Sequence, residues 1–226
     1  MRTVPAPKGR PREFDVDQAL DRALMVFWRK GYQGASMADL TAATGVNRPS
    51  LYAAFGNKES LFRKALDRYS EGPAGYFCKS LTAPTARAAV ERLLKETVRR
   101  LTDPRNPPGC LMVQGALTCG KEADSIRKEL ISRRGISESA IRQRFTRAKS
   151  EGDLRASANA ADLARYISTV IHGLSVQAAG GAKRAELRRV AEMAMRAFPG
   201  TSKRMKGRIE SRHANLGSES ISSIRR

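Results

Sequence analysis

Apolar side chains recur at three- and four-residue spacing along nearly the whole chain, and no segment alternates with period two. That pattern predicts an all-α protein without a sheet. Asp15 with Gln18 reads as a capping pair, followed by Val16, Leu20, Ala23, Leu24 and Phe27 on one face until Gly31 stops the turn. Ser36 with Asp39 opens a second, short helix carrying Met37, Leu40 and Ala43, which ends before Gly45. Asn47 caps a third, whose Pro49 lies in the first turn, where the missing N–H is harmless, and Gly56 closes it. Asn57 caps a fourth through Leu61, Phe62, Ala65, Leu66 and Tyr69.

Two short helices separated by a tight turn at Gly45 form a helix-turn-helix pattern, with the second helix placed to enter a major groove. Leu51 and Phe55 supply its core contacts, leaving Arg48, Ser50, Tyr52 and Ala53 on other faces. Arg48 suits a guanine edge, small Ser50, Ala53 and Ala54 permit close approach, and Lys58 sits at a positive helix start suited to phosphate. Tyr52 also fits a packing aromatic, and Arg48 an ordinary solvated charge.

Longer helices follow. A stripe from Ala86 through Val90, Leu93, Leu94, Thr97, Val98 and Leu101 ends near Pro104, and Pro107-Pro108-Gly109 turns into a short segment, Cys110 to Thr118. Residues 122–149 read as a long helix whose stripe slips phase near Arg133-Arg134-Gly135, which predicts a kink. Asn159 with Asp162 caps a helix ending at Ala179, and after Gly180-Gly181 the last one carries Leu187, Val190, Ala194 and Phe198. Leu163, Ile167, Val170 and Leu174 form a stripe that Ala164, Ile171 and Ala178 broaden, which fits either a self-association face or a central helix buried in one protomer. The organisation expected is a basic arm over 1–14, a DNA-binding unit over 15–70, a helical unit over 71–199 and a basic tail over 200–226.

Charge sharpens the picture: 42 Lys+Arg against 22 Asp+Glu give +20 over 226 residues, which favours a polyanionic partner. Arg10 and Arg12 in Lys8-Gly9-Arg10-Pro11-Arg12 suit a narrow minor groove, or merely aid solubility. The tail adds nonspecific DNA affinity or nothing. No apolar run approaches a spanning length, no signal-peptide core opens the chain, and Cys78, Cys110 and Cys119 form no C-x-x-C pair, so a reducing cytoplasmic location without membrane association is expected. His172 and His213 are the only histidines, and no catalytic, nucleotide-cradling or metal-ligand spacing occurs, so neither an enzyme nor a cofactor or metal site is expected.

From Ala19 to Phe62 the chain resembles the DNA-binding domain of TetR/AcrR-type transcriptional regulators, in Gly31-Tyr32, Ser36, Gly45-Val46, Leu51-Tyr52, Phe55 and Asn57-Lys58-Glu59. The resemblance implies that Ser36, Tyr52 and Lys58 contact phosphates and that Arg48, Pro49 and Ser50 face bases of a double-stranded operator. Ala38, Ala53 and Ala54 stand where some members carry longer base-reading side chains, so the operator sequence does not follow. It further implies a larger helical ligand-binding and dimerisation domain: a homodimer through Leu163, Ile167, Val170, Leu174, Leu187, Val190 and Ala194, and a pocket for a small-molecule effector drawing on Tyr76, Phe77, Cys110, Met112, Tyr166 and His172. Leu111 is a further candidate for that pocket; each of these residues also reads as plain core, and His172 as a satisfied core or interface histidine. The expected function is a sequence-specific regulator, a repressor released by a small-molecule or redox signal. The rival is a nonspecific architectural or nucleoid-organising DNA binder, which salt would strip from all sites together. Cys110 reads either as a thiol activated by a helix start and Arg105, open to oxidants or electrophiles, or as a small buried hydrophobe.

Overall fold

The computed structural model describes residues 14–117 and 123–199. Among them the regular elements are α-helices: α1 (Val16–Gly34), α2 (Met37–Thr44), α3 (Arg48–Phe55), α4 (Lys58–Glu71), α5 (Tyr76–Leu81), α6 (Ala86–Leu101), α7 (Leu111–Leu117), α8 (Asp124–Ser150), α9 (Ala160–Ala179) and α10 (Arg184–Ala197). The basic arm, Cys119 and the tail from 200 onward lie outside the described residues.

Local cap chemistry fixes most of the helix starts. Asp15 accepts from the Gln18 amide at 3.1 Å, Asn47 from Ser50 at 2.9 Å and Asn57 from Ser60 at 2.8 Å, each contributing about 1 kcal/mol. Ser36 and Asp39 exchange reciprocal bonds at the start of α2. Thr85 and Asn159 cap α6 and α9 in the same way. Gly31, at φ 68°, interrupts α1, consistent with its expected role as a stop.

Two apolar cores result. In the first, α1 to α4 gather around Phe27, Leu40, Leu51 and Phe62, with the Phe27 and Phe62 rings edge-to-face at 4.9 Å. Such fully buried rings contribute about 1.5–3 kcal/mol each. Leu111, Ile126 and Leu130 complete this core, so α7 and the first turns of α8 pack directly under the N-terminal helices. In the second, Leu93 and Leu94 of α6, Ile141 and Phe145 of α8, Ile167 and Leu174 of α9 and Leu187 of α10 interlock.

The expected kink near Gly135 is absent: α8 runs unbroken for 27 residues. Its phase slip marks a change of partner, because Ile126 and Leu130 face the first core whereas Ile141, Phe145 and Ala148 face the second. Residues between them belong to neither stripe, and Gly135 is exposed with nothing against its Cα hydrogens.

The seven residues expected to pair on α9 and α10 differ in exposure within the protomer. Ile167, Leu174, Leu187 and Ala194 are buried in its own core, at 0 to 4% exposure. Leu163 and Val170 pack against that core and are half-buried. Of the seven, Val190 stands free, at 47% exposure, in the company of Tyr166, Val176 and Met193.

Candidate nucleic-acid interface and effector cavity

The α2–α3 turn is held at every atom that matters for its shape. Gly45 takes φ 71°, strained for any other side chain, and donates its N–H to the Thr41 carbonyl at 3.0 Å. Thr44 Oγ1 donates to Leu40 O and accepts from Val46 N, while Arg22 clamps the Thr44 carbonyl from α1. Leu51 and Phe55 anchor α3 from beneath, which turns Arg48, Pro49 and Ala53 to solvent.

Both α3 and α4 place a cation at their first helical position, Arg48 and Lys58. A cation there opposes the positive end of the helix dipole, so the arrangement gains energy only when an anion arrives. Arg48 lies over the Tyr52 ring at 5.2 Å and its Nε donates to the Tyr52 hydroxyl at 3.2 Å, which pre-orders a planar donor fork. Lys58 rests 4.6 Å above the Tyr32 ring, and partial burial lowers its pKa. Ser36 is committed inside its cap: its hydroxyl donates to Asp39 at 2.8 Å and accepts from the Asp39 amide. Asp39 also pairs with Lys30 at 2.6 Å, and that contact with the Ser36 bonds holds its carboxyl at about 2.

A cavity of about 290 Å³ lies where the two cores meet, walled by Trp28 of α1, Tyr69 of α4, Tyr76 and Phe77 of α5, Met112 of α7 and His172 of α9. Cys110 also lines it, at the N-terminal edge of α7, where its carbonyl accepts from Val113 and Gln114. Its Sγ accepts from the Tyr69 hydroxyl at 3.2 Å and its N–H donates to Ser175 Oγ at 2.9 Å. Burial and the neighbouring Cys110 push the Tyr69 phenol well up, and burial pushes Tyr76 up to about 12, so both remain neutral donors. Burial and the charge of Arg134 push the His172 imidazole down.

Residues 19–65 match the profile of bacterial regulatory proteins of the tetR family, and residues 86–195 match the tetracyclin repressor-like C-terminal domain. The chain belongs to the TetR family. It is similar to the transcriptional repressor ComR of Escherichia coli K12, at 33% identity over 87% of this chain and 94% of ComR. The repressor BdcR of the same organism is 32% identical over 82% of this chain and 90% of its own length. Among solved structures, a cysteine-substituted form of the regulator CifR complexed with 26 bp double-strand operator DNA superposes with TM-score 0.82 at 48% identity, covering 84% of this chain and all of that one. This TetR-family chain is a DNA-binding transcriptional regulator.

Ser36 caps α2, Arg48, Pro49, Ser50 and Tyr52 lie on α3, and Lys58 opens α4. Arg10 and Arg12 lie outside the described residues. Tyr76, Phe77, Cys110, Met112 and His172 line the cavity, whereas Tyr166 does not: it sits on the exposed side of α9, a turn and a half from His172. Leu111, the further candidate, is fully buried in the first core. Arg105 does not attend Cys110, since Asp103 captures its guanidinium at 2.8 Å, two residues away. Sequence reasoning missed Trp28, Tyr69, Arg100, Arg133 and Arg134 in the cavity lining. The Arg48–Tyr52 stacking was also missed, although the i, i+4 spacing signals such a pair.

Proposed function

We propose that this chain is a homodimeric repressor that releases its operator when a small molecule fills the cavity between the two cores. One observation carries the reading: the cavity wall includes Trp28 and Tyr69, which belong to the same α1 and α4 that support the recognition helix α3. A ligand that reshapes this wall favours one arrangement of the DNA-reading helices over another, which is all that release requires. Relatives named as repressors, and a relative solved in complex with operator DNA, support the direction of control and the duplex partner.

Two copies are needed because one eight-residue recognition helix reaches few base pairs, whereas two read half-sites a fixed number of helical turns apart. The apolar side chains left exposed on α9 and α10, Val176, Val190 and Met193, give the pairing face. Arg10 and Arg12 follow the adjacent minor groove, and the protein acts in the cytoplasm, where the chromosome is. Deletion of residues 1–12 is expected to weaken operator binding and flatten its salt dependence.

The deciding experiment selects duplexes from a random pool at moderately high salt with protein whose mass is read by light scattering. Recovery of a palindrome bound by a dimer supports the reading. Recovery of no motif, with all duplexes lost together as salt rises, overturns it in favour of an architectural DNA binder.

A further inference from the structure

The cavity carries a charge asymmetry that narrows what it takes. Three arginines line it, Arg100, Arg133 and Arg134, and no aspartate or glutamate does. Arg133 is neutralised, with Glu129 at 2.6 Å and Asp67 at 2.7 Å. Arg100 and Arg134 have no carboxylate within 4.0 Å among the described residues. Arg100 Nε is shielded from solvent without a hydrogen-bond partner, and Arg134 reaches only the Met112 carbonyl, at 3.5 Å. Both side chains are half-buried and Arg100 also feels the Glu96 carboxylate, so it is the shielded Arg100 Nε that an anion in the cavity would complete. The neighbouring hydroxyls are already engaged, Tyr76 with Thr97 at 3.1 Å and Tyr69 with Cys110, so they add no competing negative charge.

The lining also carries apolar side chains: Trp28, Phe77, Met112 and Ile171. The 290 Å³ admits on the order of ten non-hydrogen atoms, taking about 30 Å³ for each water-sized unit. An apolar body of that size with one delocalised negative end matches both halves of the lining.

We propose that the effector is a small organic carboxylate with an aromatic or similarly compact apolar body, its carboxylate bound by Arg100 and Arg134. This rests on reading the cavity as the effector site. Planar guanidinium groups match the two oxygens of a carboxylate, and the apolar wall rejects inorganic anions that have no body to bury.

The test uses the full-length dimer at fixed ionic strength, titrated calorimetrically with cinnamate and benzoate and with their uncharged amides. The acids are expected to bind at least tenfold more tightly than the amides. Arg100→Gln and Arg134→Gln are each expected to bring acid and amide within about twofold while leaving amide binding unchanged. Arg142→Gln, an exposed α8 position outside the cavity, should leave the preference intact. Circular dichroism identifies a variant that does not fold, and the remaining arginine variant then decides. Equal binding of acid and amide, failure of both to bind, or the same loss in Arg142→Gln overturns the proposal. Anisotropy on a selected duplex separates the two readings. Protein that binds the duplex but shows no acid preference loses the ligand class and keeps the regulator. Protein that takes acids selectively but selects no duplex does the reverse.

Discussion

Trp28 donates its indole N–H to the Gly109 carbonyl at 3.2 Å, joining α1 to the loop that carries Cys110. Gly109 holds a φ of 85°, and a Cβ there would collide with the end of the Gln114 side chain. The Trp28 ring also stands edge-on to Tyr69 at 4.8 Å, and Tyr69 in turn bonds Cys110. Helices of the DNA-reading unit and the cavity thus share one buried hydrogen-bonded corner.

Replacing Trp28 with Phe keeps a ring in place but leaves a buried carbonyl without its donor. Unfolding free energy from urea titration is expected to fall by about 1–2 kcal/mol. An unchanged midpoint would show that water replaces the indole at no cost.

The two basic positions at helix starts should fail differently. Arg48→Ala is expected to cost about 1–3 kcal/mol in operator binding and to relax base preference at one position per half-site. Lys58→Ala should weaken all duplexes alike and lower the slope of log affinity against log salt by about one per recognition unit. Competition assays across a salt series read both; identical behaviour of the two variants would refute the division of labour.

Val190→Asp and Met193→Asp place charges on side chains that are 47% and 59% exposed in the protomer. Folding of the single chain is expected to survive, seen as unchanged far-ultraviolet dichroism. The mass in solution should halve, and operator affinity should drop more than tenfold. Retention of the native mass in both would move the pairing face elsewhere.

His172 predicts the acid limb of stability. An unfolded imidazole takes its proton as pH falls through about 6.5. The folded one is held neutral to lower pH by burial and by Arg134, with Glu138 opposing more weakly. Protons therefore favour the unfolded chain, and stability rises with pH through that window. In His172→Gln the melting temperature should lose this part of its slope between about pH 5 and 7. A wild-type slope in the variant would assign it to carboxylates instead.

Helix starts were legible because caps are local: Ser36 with Asp39, or Asn47 alone, specifies a start within four residues. The DNA-reading edge was legible for the same reason, since a dense run of caps and a glycine turn fixes its geometry. The stripes of α9 and α10 were not, because apolar periodicity has no sign. It locates a buried face without saying whether the same chain or a second copy buries it. The cavity was half legible: Tyr76, Phe77, Cys110, Met112 and His172 were identified, while its remaining walls come from α1, α4, α6 and α8, segments far apart in sequence. Arg100 and Arg134 looked like two more charges in a basic chain; only placement reveals that they line the cavity without an ion-pair partner among the described residues.

The unbroken α8 behaves mechanically as a beam. Its 27 residues span about 40 Å at about 1.5 Å per residue, with Phe145 fixed at one end and Ile126 at the other. A tilt of about five degrees about Phe145 would move Glu129, about 24 Å away along the helix, by about 2 Å, beyond what hydrogen bonds at 2.7–3.2 Å tolerate. Glu129 and Arg133, near the swept end, grip Arg63 and Asp67 of α4 through ion pairs of 2.6 and 2.7 Å. A tilt of a few degrees about Phe145 would therefore reach α4 as a choice between keeping that grip and losing it.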